Sequence, residues 1–264
     1  MKRCTWQTAL LGGTLAGCAV GAMAQLGSPD DQTLKLELSA GAVRGTQSLF
    51  KGVLVQSRTD PLIGVEAALG RWFFSMLNGA GYLLADTPAF SLGVSGNYML
   101  GRSERSQARY RGLGDVDGTL AAYAFFEWRP VKDAVTVYGN VMRSTRAQSG
   151  TEASLGATLG LPLTAQLSGF VDVYANWADA RYARSYYGVN ATQALGSGLA
   201  AYAPSAGLIS VTPSVGLDYT VDAHWHVLGF AGRSRFGGMA ADSPLVQGLG
   251  RSQPVAAVFV KYMR

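Results

Sequence analysis

Along most of the chain apolar positions alternate with small polar ones, and turns interrupt the alternation at intervals. In the clearest run, Ile209, Val211, Pro213, Val215, Leu217 and Tyr219 stand against Ser210, Thr212, Ser214, Gly216, Asp218 and Thr220. Leu167 to Trp177 and Ala153 to Leu161 repeat the pattern, as do Phe90 to Leu100, Thr119 to Arg129, Ala134 to Ser144 and Gln253 to Met263. A period of two marks a strand with two unlike faces. These runs reach about ten residues, the length of a tilted strand crossing a bilayer, whereas soluble strands average about five or six. Their polar faces are small rather than densely charged, as in the lumen of a barrel.

Strands are predicted near 34–44, 61–69, 71–77, 81–85, 90–100, 118–129, 134–144, 151–161, 166–177, 208–220, 224–236 and 253–263. That makes an all-β, antiparallel transmembrane β-barrel of about twelve strands. Ten is the alternative, because the strands between Pro61 and Ala85 are short. Long connections fall near 45–60, 101–117, 178–207 and 237–252, always after an odd-numbered strand. Short turns such as Arg129 to Asp133 and Val221 to His224 fall at the other end. One end with loops and one with tight turns is the outer-membrane pattern; a soluble β-sandwich is the competing fold. Trp128, Tyr138, Trp177, Tyr219, Trp225 and Tyr262 are placed near strand ends, where amphipathic rings favour the headgroup zone.

Composition agrees. Charged residues are 15% of the 264, and 34 are glycine, against about 25% and 7% in soluble domains. A mean hydropathy of +0.13 is low for a bundle of membrane helices. Lys2 and Arg3, an apolar run around Leu10 to Val20, and Ala22-Met23-Ala24 before Gln25 read as a signal peptide over 1–24, with the barrel over 25–264. Leu15-Ala16-Gly17-Cys18 offers a second reading, lipidation at Cys18. A chain starting at Gln25 would have no cysteine, which excludes disulfides and thiol catalysis, and its mild basic excess does not argue for nucleic acid.

Several segments resemble the MipA/OmpV family of outer-membrane proteins. They are Ala180-Arg181-Tyr182 with Tyr186-Tyr187-Gly188-Val189 and Gln193-Ala194; His224-Trp225 with Arg235 and Ala240 to Val246; and Gly70 to Phe74 with Gly79-Ala80-Gly81. The resemblance implies an outer-membrane barrel. It also implies a scaffold role, joining a murein-cleaving lytic transglycosylase to a murein synthase; other members resemble porins or adhesins. It carries no catalytic residues. The family tends to end Tyr-x-Phe, whereas Arg264 stands last here after Tyr262 and Met263.

Candidate chemistry is sparse, and no enzyme, cofactor or metal is expected. His224 and His226 share a face but lack a third ligand beyond Asp222. Glu127, Asp172, Tyr174, Asn176, Asp218 and Lys261 are predicted to line the lumen, either along a water path or as a plug. Arg102, Arg105, Arg109 and Arg111 crowd one long loop and could pair with lipopolysaccharide phosphates; the alternative is a solvated loop. Arg233 and Arg235 alternate onto the face opposite the histidines, which calls for a place near the outer end of the strand or for a shifted local register. The expected partners are outer-membrane lipid and lipopolysaccharide and, through the family, murein enzymes. The alternatives are a pore for small polar solutes and a surface adhesin.

Overall fold

A computed structural model describes residues 33–47, 54–76, 78–146 and 150–264. The signal segment and Cys18 lie outside the described residues. Twelve antiparallel strands close into one barrel, each paired with its neighbours in sequence and β1 with β12. They are β1 (Lys35–Gln47), β2 (Leu54–Leu69), β3 (Trp72–Ser75), β4 (Gly79–Asp86), β5 (Phe90–Met99), β6 (Thr119–Val131) and β7 (Val135–Ser144). The rest are β8 (Thr151–Pro162), β9 (Leu167–Ala178), β10 (Gly207–Thr220), β11 (Trp225–Phe236) and β12 (Ser252–Met263). The seam runs from Glu37 opposite Met263 to Arg44 opposite Ala256. Closure leaves no free sheet edge at that seam, so the backbone groups there are satisfied without water.

The predicted alternation sorts the side chains. Val215, Leu217, Val171, Val173, Leu155, Leu159, Val258 and Val260 are exposed on the outside, where lipid would cover them. Their alternates are buried inside. Trp128, Tyr219 and Trp225 project outward at the short-turn end and Trp177 at the loop end. Trp225 packs on Tyr262 at 5.1 Å between ring centroids.

Three expectations are corrected. β2 starts at Leu54, so the predicted loop over 45–60 is mostly strand. Thr59 and Asp60, expected in that loop, pair within β2 opposite Arg44 and Val43, and the strand runs on through Pro61, where it was expected to begin. Tyr138 turns inward and is buried, because its hydroxyl donates to Asp172 at 3.0 and 3.2 Å. Ile209 is buried rather than lipid-facing; the register shift between Leu208 and Ser210 rotates it to the inside.

The long loops carry helices the alternation did not foretell: α1 (Ala180–Tyr187), α2 (Ala191–Ser197), α3 (Gly238–Ala241) and α4 (Pro244–Gln247). Asp179 caps α1 by accepting from the Tyr182 N–H, and Asn190 and Gln193 form a capping box on α2. Ser243 caps α4, with Pro244 in its first turn.

Candidate functional site: the lumen lining and its outer cap

Glycine and aromatic residues line the lumen together. Phe73 stands opposite Gly81, Phe125 opposite Gly93, Tyr138 opposite Gly156 and Phe170 opposite Gly216, each pair on adjacent strands. A methyl group at any of these glycines would overlap the facing ring. The rings therefore lie across the neighbouring strand and occupy the space that glycine leaves, the arrangement by which aromatic rings shield strand glycines. This is a structural use for a glycine content that sequence alone could read only as a class signal.

Between the rings runs a polar network concentrated toward the short-turn half. Lys261 Nζ lies 2.9 Å from Glu37 Oε1, and Glu37 stands opposite Glu66 on β2. Arg129 Nε pairs with Glu127 Oε1 at 2.9 Å and its NH2 group donates to Ser91 Oγ, which in turn donates to Asp86. His226 Nδ1 lies 3.3 Å from Asp218 Oδ1. Asp172, 1% exposed, accepts from Tyr138 and from Thr158 Oγ1 at 2.6 Å. Tyr174 and Asn176 are buried on the same inner face. Glu127, Asp172, Tyr174, Asn176, Asp218 and Lys261 thus all sit inside, and the charged ones are met by partners on the same or nearby strands of the wall. Buried charges persist only when paired and hydrogen-bonded in this way.

The loop end is capped. Tyr182, Tyr186 and Tyr187 of α1 pack with Ala240, Ala241 and Val246 onto Ala121, Met142, Ala178, Ile209 and Phe236 at the tops of the strands. Polar stitches join the three long loops. Ser243 Oγ donates to the Tyr187 carbonyl at 2.6 Å, Tyr202 OH to that of Met239 at 2.8 Å, and Gln193 Nε2 to that of Leu113 at 2.6 Å.

The arginine cluster over 102–111 divides. Arg102 is 3% exposed, lies 5.1 Å over the Tyr110 ring and aims NH1 at the Tyr186 carbonyl at 3.5 Å. Burial lowers its pKa from the ordinary arginine value. Arg109 donates to the Leu245 carbonyl at 3.0 Å. These two staple the cap and are not a free phosphate-binding surface, whereas Arg105 and Arg111 are exposed.

Other arginines meet the outer rim. Arg44, Arg233 and Arg235 are exposed on the lipid-facing side, at the loop ends of β1 and β11. Arg233 lies about 20 Å above Trp225 along the tilted strand and donates to Ser252 Oγ at 2.8 Å. Their height resolves the two arginines predicted on β11. A groove of about 550 Å³ opens between the β5–β6 and β9–β10 loops, lined by Asp117, Arg146, Arg184, Asn190 and Tyr202 among others. Arg146 pairs with Asp117 at 2.6 Å there.

At the opposite end, Asp222 accepts the N–H groups of His224 and Trp225 at 2.8 and 2.9 Å, and these bonds hold its carboxyl below the usual range. His224 turns to the Met263 carbonyl at 3.0 Å and packs on Tyr262, away from His226. Among the described residues no group of three or more His, Cys, Asp or Glu gathers at one point.

Comparison with known proteins gives one family. The profile of the MltA-interacting protein MipA matches residues 38–264. No curated protein sequence matches the chain. Among solved structures, the NanC porin aligns at 8% identity and TM-score 0.46, covering 87% of this chain and 99% of that one. An outer membrane channel of Pseudomonas putida F1 aligns at 11% identity and TM-score 0.42, covering 90% and 98%. The DcaP channel of Acinetobacter baumannii aligns at 12% and 0.40, covering 88% and 96%.

Proposed function

This chain belongs to the MltA-interacting protein family of outer-membrane β-barrels, and on that premise we propose that it is a non-catalytic scaffold. It holds a lytic transglycosylase and a murein synthase at the periplasmic face of the outer membrane. The observation that carries this reading is the loop end packed over by its own helices, above an inner face whose charges pair within the wall: a barrel so capped acts through its surfaces. The family's name supplies the kind of partner. The short-turn end supplies the surface, with Lys132 and Asp133 exposed beside one turn and Asp222, His224 and Trp225 beside another. Arg44, Arg233 and Arg235 then anchor the barrel against lipopolysaccharide phosphates, where their charge is answered rather than buried in hydrocarbon.

Exchange of Val131 to Ala134 and Val221 to His224 for unrelated turns tests the scaffold. The immobilised, folded barrel is expected to lose capture of a lytic transglycosylase from the same organism. Undiminished capture by the exchanged protein counts against the reading. The groove between the outer loops favours a second reading, surface binding or adhesion; deleting residues 191–197 should abolish that activity and leave transglycosylase capture intact.

A further inference from the structure

The three loops that cap the barrel leave a second, smaller cavity where they meet, of about 270 Å³. Arg109 and Arg111 of the β5–β6 loop line it, with Gly196 and Leu199 at the end of α2 and Leu245 and Gly248 around α4. That volume falls just below the range of about 300–1,000 Å³ usual for small-molecule sites, so it suits a compact ligand rather than a chain.

Its walls are fixed. Gly112 holds a φ of +81°, and a side chain there would overlap the Gly196 carbonyl, so the β5–β6 loop rests backbone to backbone on α2. Gln193 Nε2 donates to the Leu113 carbonyl across the same contact. Arg109 Nη1 donates to the Leu245 carbonyl at 3.0 Å, and its Nη2 lies 4.0 Å from the place a Cβ on Gly248 would take. The staple that draws Arg109 off the open surface thus sets the other edge of its guanidinium against the cavity.

The charge there is unanswered. Every acid of the three loops is held elsewhere. Glu104 Oε2 accepts the Gly114 N–H at 3.0 Å and Asp115 Oδ1 the Glu104 N–H at 2.7 Å. Asp117 pairs with Arg146, Asp242 pairs with Arg251, and Asp179 caps α1. Among the described residues no carboxylate lines the cavity, and neither Arg109 nor Arg111 has an acidic partner.

We propose that this cavity binds a water-soluble phosphate monoester on a body about the size of one sugar ring. Such a group carries about −1.5 to −2 at pH 7, which two guanidinium groups match, and their planar forks suit its oxygens. A carboxylate would answer only one of them. Leu199 and Leu245 face the body of the ligand. The site lies in the loop cap, apart from the lipid-facing Arg44, Arg233 and Arg235, and is independent of the scaffold role.

The test is calorimetric titration of the full-length barrel, refolded in detergent micelles and verified by heat-modifiable mobility, with glucose 6-phosphate. One saturable site is expected, competed by inorganic phosphate and silent to glucose. Arg111→Gln should raise the Kd about ten-fold, as for loss of one charge-assisted hydrogen bond. Arg105→Gln, exposed on the same loop outside the cavity, should change it by less than about two-fold. Gly248→Val fills the cavity at a φ of −72° that any residue adopts, and should abolish binding. Absent saturation, equal losses in Arg105→Gln and Arg111→Gln, or unchanged affinity in Gly248→Val overturns the proposal. Added lipopolysaccharide should not displace the ester; displacement would assign the cavity to the membrane's own phosphates and overturn the soluble ligand.

Discussion

Adding one methyl group at Gly93 should show whether aromatic rings on the inner face rest on the glycines of the neighbouring strand. A Cβ there would come 2.9 Å from Phe125 Cε2 and 3.0 Å from Cε1, and closer still to Cζ, with no other atom among its three nearest. Carbon atoms in contact rest at about 3.5–4.0 Å, so the ring would have to move. Phe125 is wedged against Phe73, with ring centroids 5.7 Å apart, and packs with Ala68 and Leu83, so a shift is resisted. Gly93→Ala should therefore cost about 1–3 kcal/mol, the range for an overpacked core. With Phe125→Ala already present the clash is gone, and the same change should be neutral or slightly stabilising, because Ala orders a strand better than Gly by about 0.5–1 kcal/mol. Urea unfolding of the four proteins in lipid vesicles gives the cycle, with an expected coupling of at least about 1 kcal/mol. Additive effects of the two changes would refute the ring-on-glycine account.

Further outcomes follow from the cap, the turn and the rim. Asp179→Ala removes the α1 cap, worth about 1 kcal/mol, and should speed tryptic cutting at Arg181 and Arg184 about five-fold through local opening. Asp222 has a folded-state pKa below its unfolded value. Its stabilisation of the turn is therefore present above the unfolded value, about 3.9, and is lost as pH falls through the folded one. Amide exchange at His224 and Trp225, corrected for intrinsic rates, should lose its protection below about pH 4, and a pH-independent protection would contradict this. Combined Arg44→Gln, Arg233→Gln and Arg235→Gln should shrink the rise in melting temperature that added lipopolysaccharide gives the parent protein, while Arg105→Gln with Arg111→Gln should not.

Much of the barrel was legible because lipid imposes a strict rule: every outward position must be apolar, so a period of two survives wherever a strand spans the membrane. The same rule placed Asp172, Asp218 and Lys261 inside, and it left Arg233 and Arg235 between the rim and a shifted register. It failed where strands do not span. The loop expected over 45–60 is largely strand from Leu54 on, and the short β3 and β4 gave the strand count its ambiguity. Inside the loops the rule has no force. α1 and α2 left only capping signals, Asp179 and the Asn190–Gln193 pair, and Arg102 was indistinguishable from a solvated neighbour until Tyr110 and Tyr186 were seen around it. The pairing of glycine with rings depends on register, so Gly93 could not be matched to Phe125 from spacing alone.

A planar bilayer holding the folded barrel gives the most direct test of a closed lumen acting through its surfaces. The account predicts no reproducible conductance steps from protein whose heat-modifiable mobility shows it folded. Reproducible steps whose ion preference changes with Asp172→Lys would contradict it and make the barrel a pore.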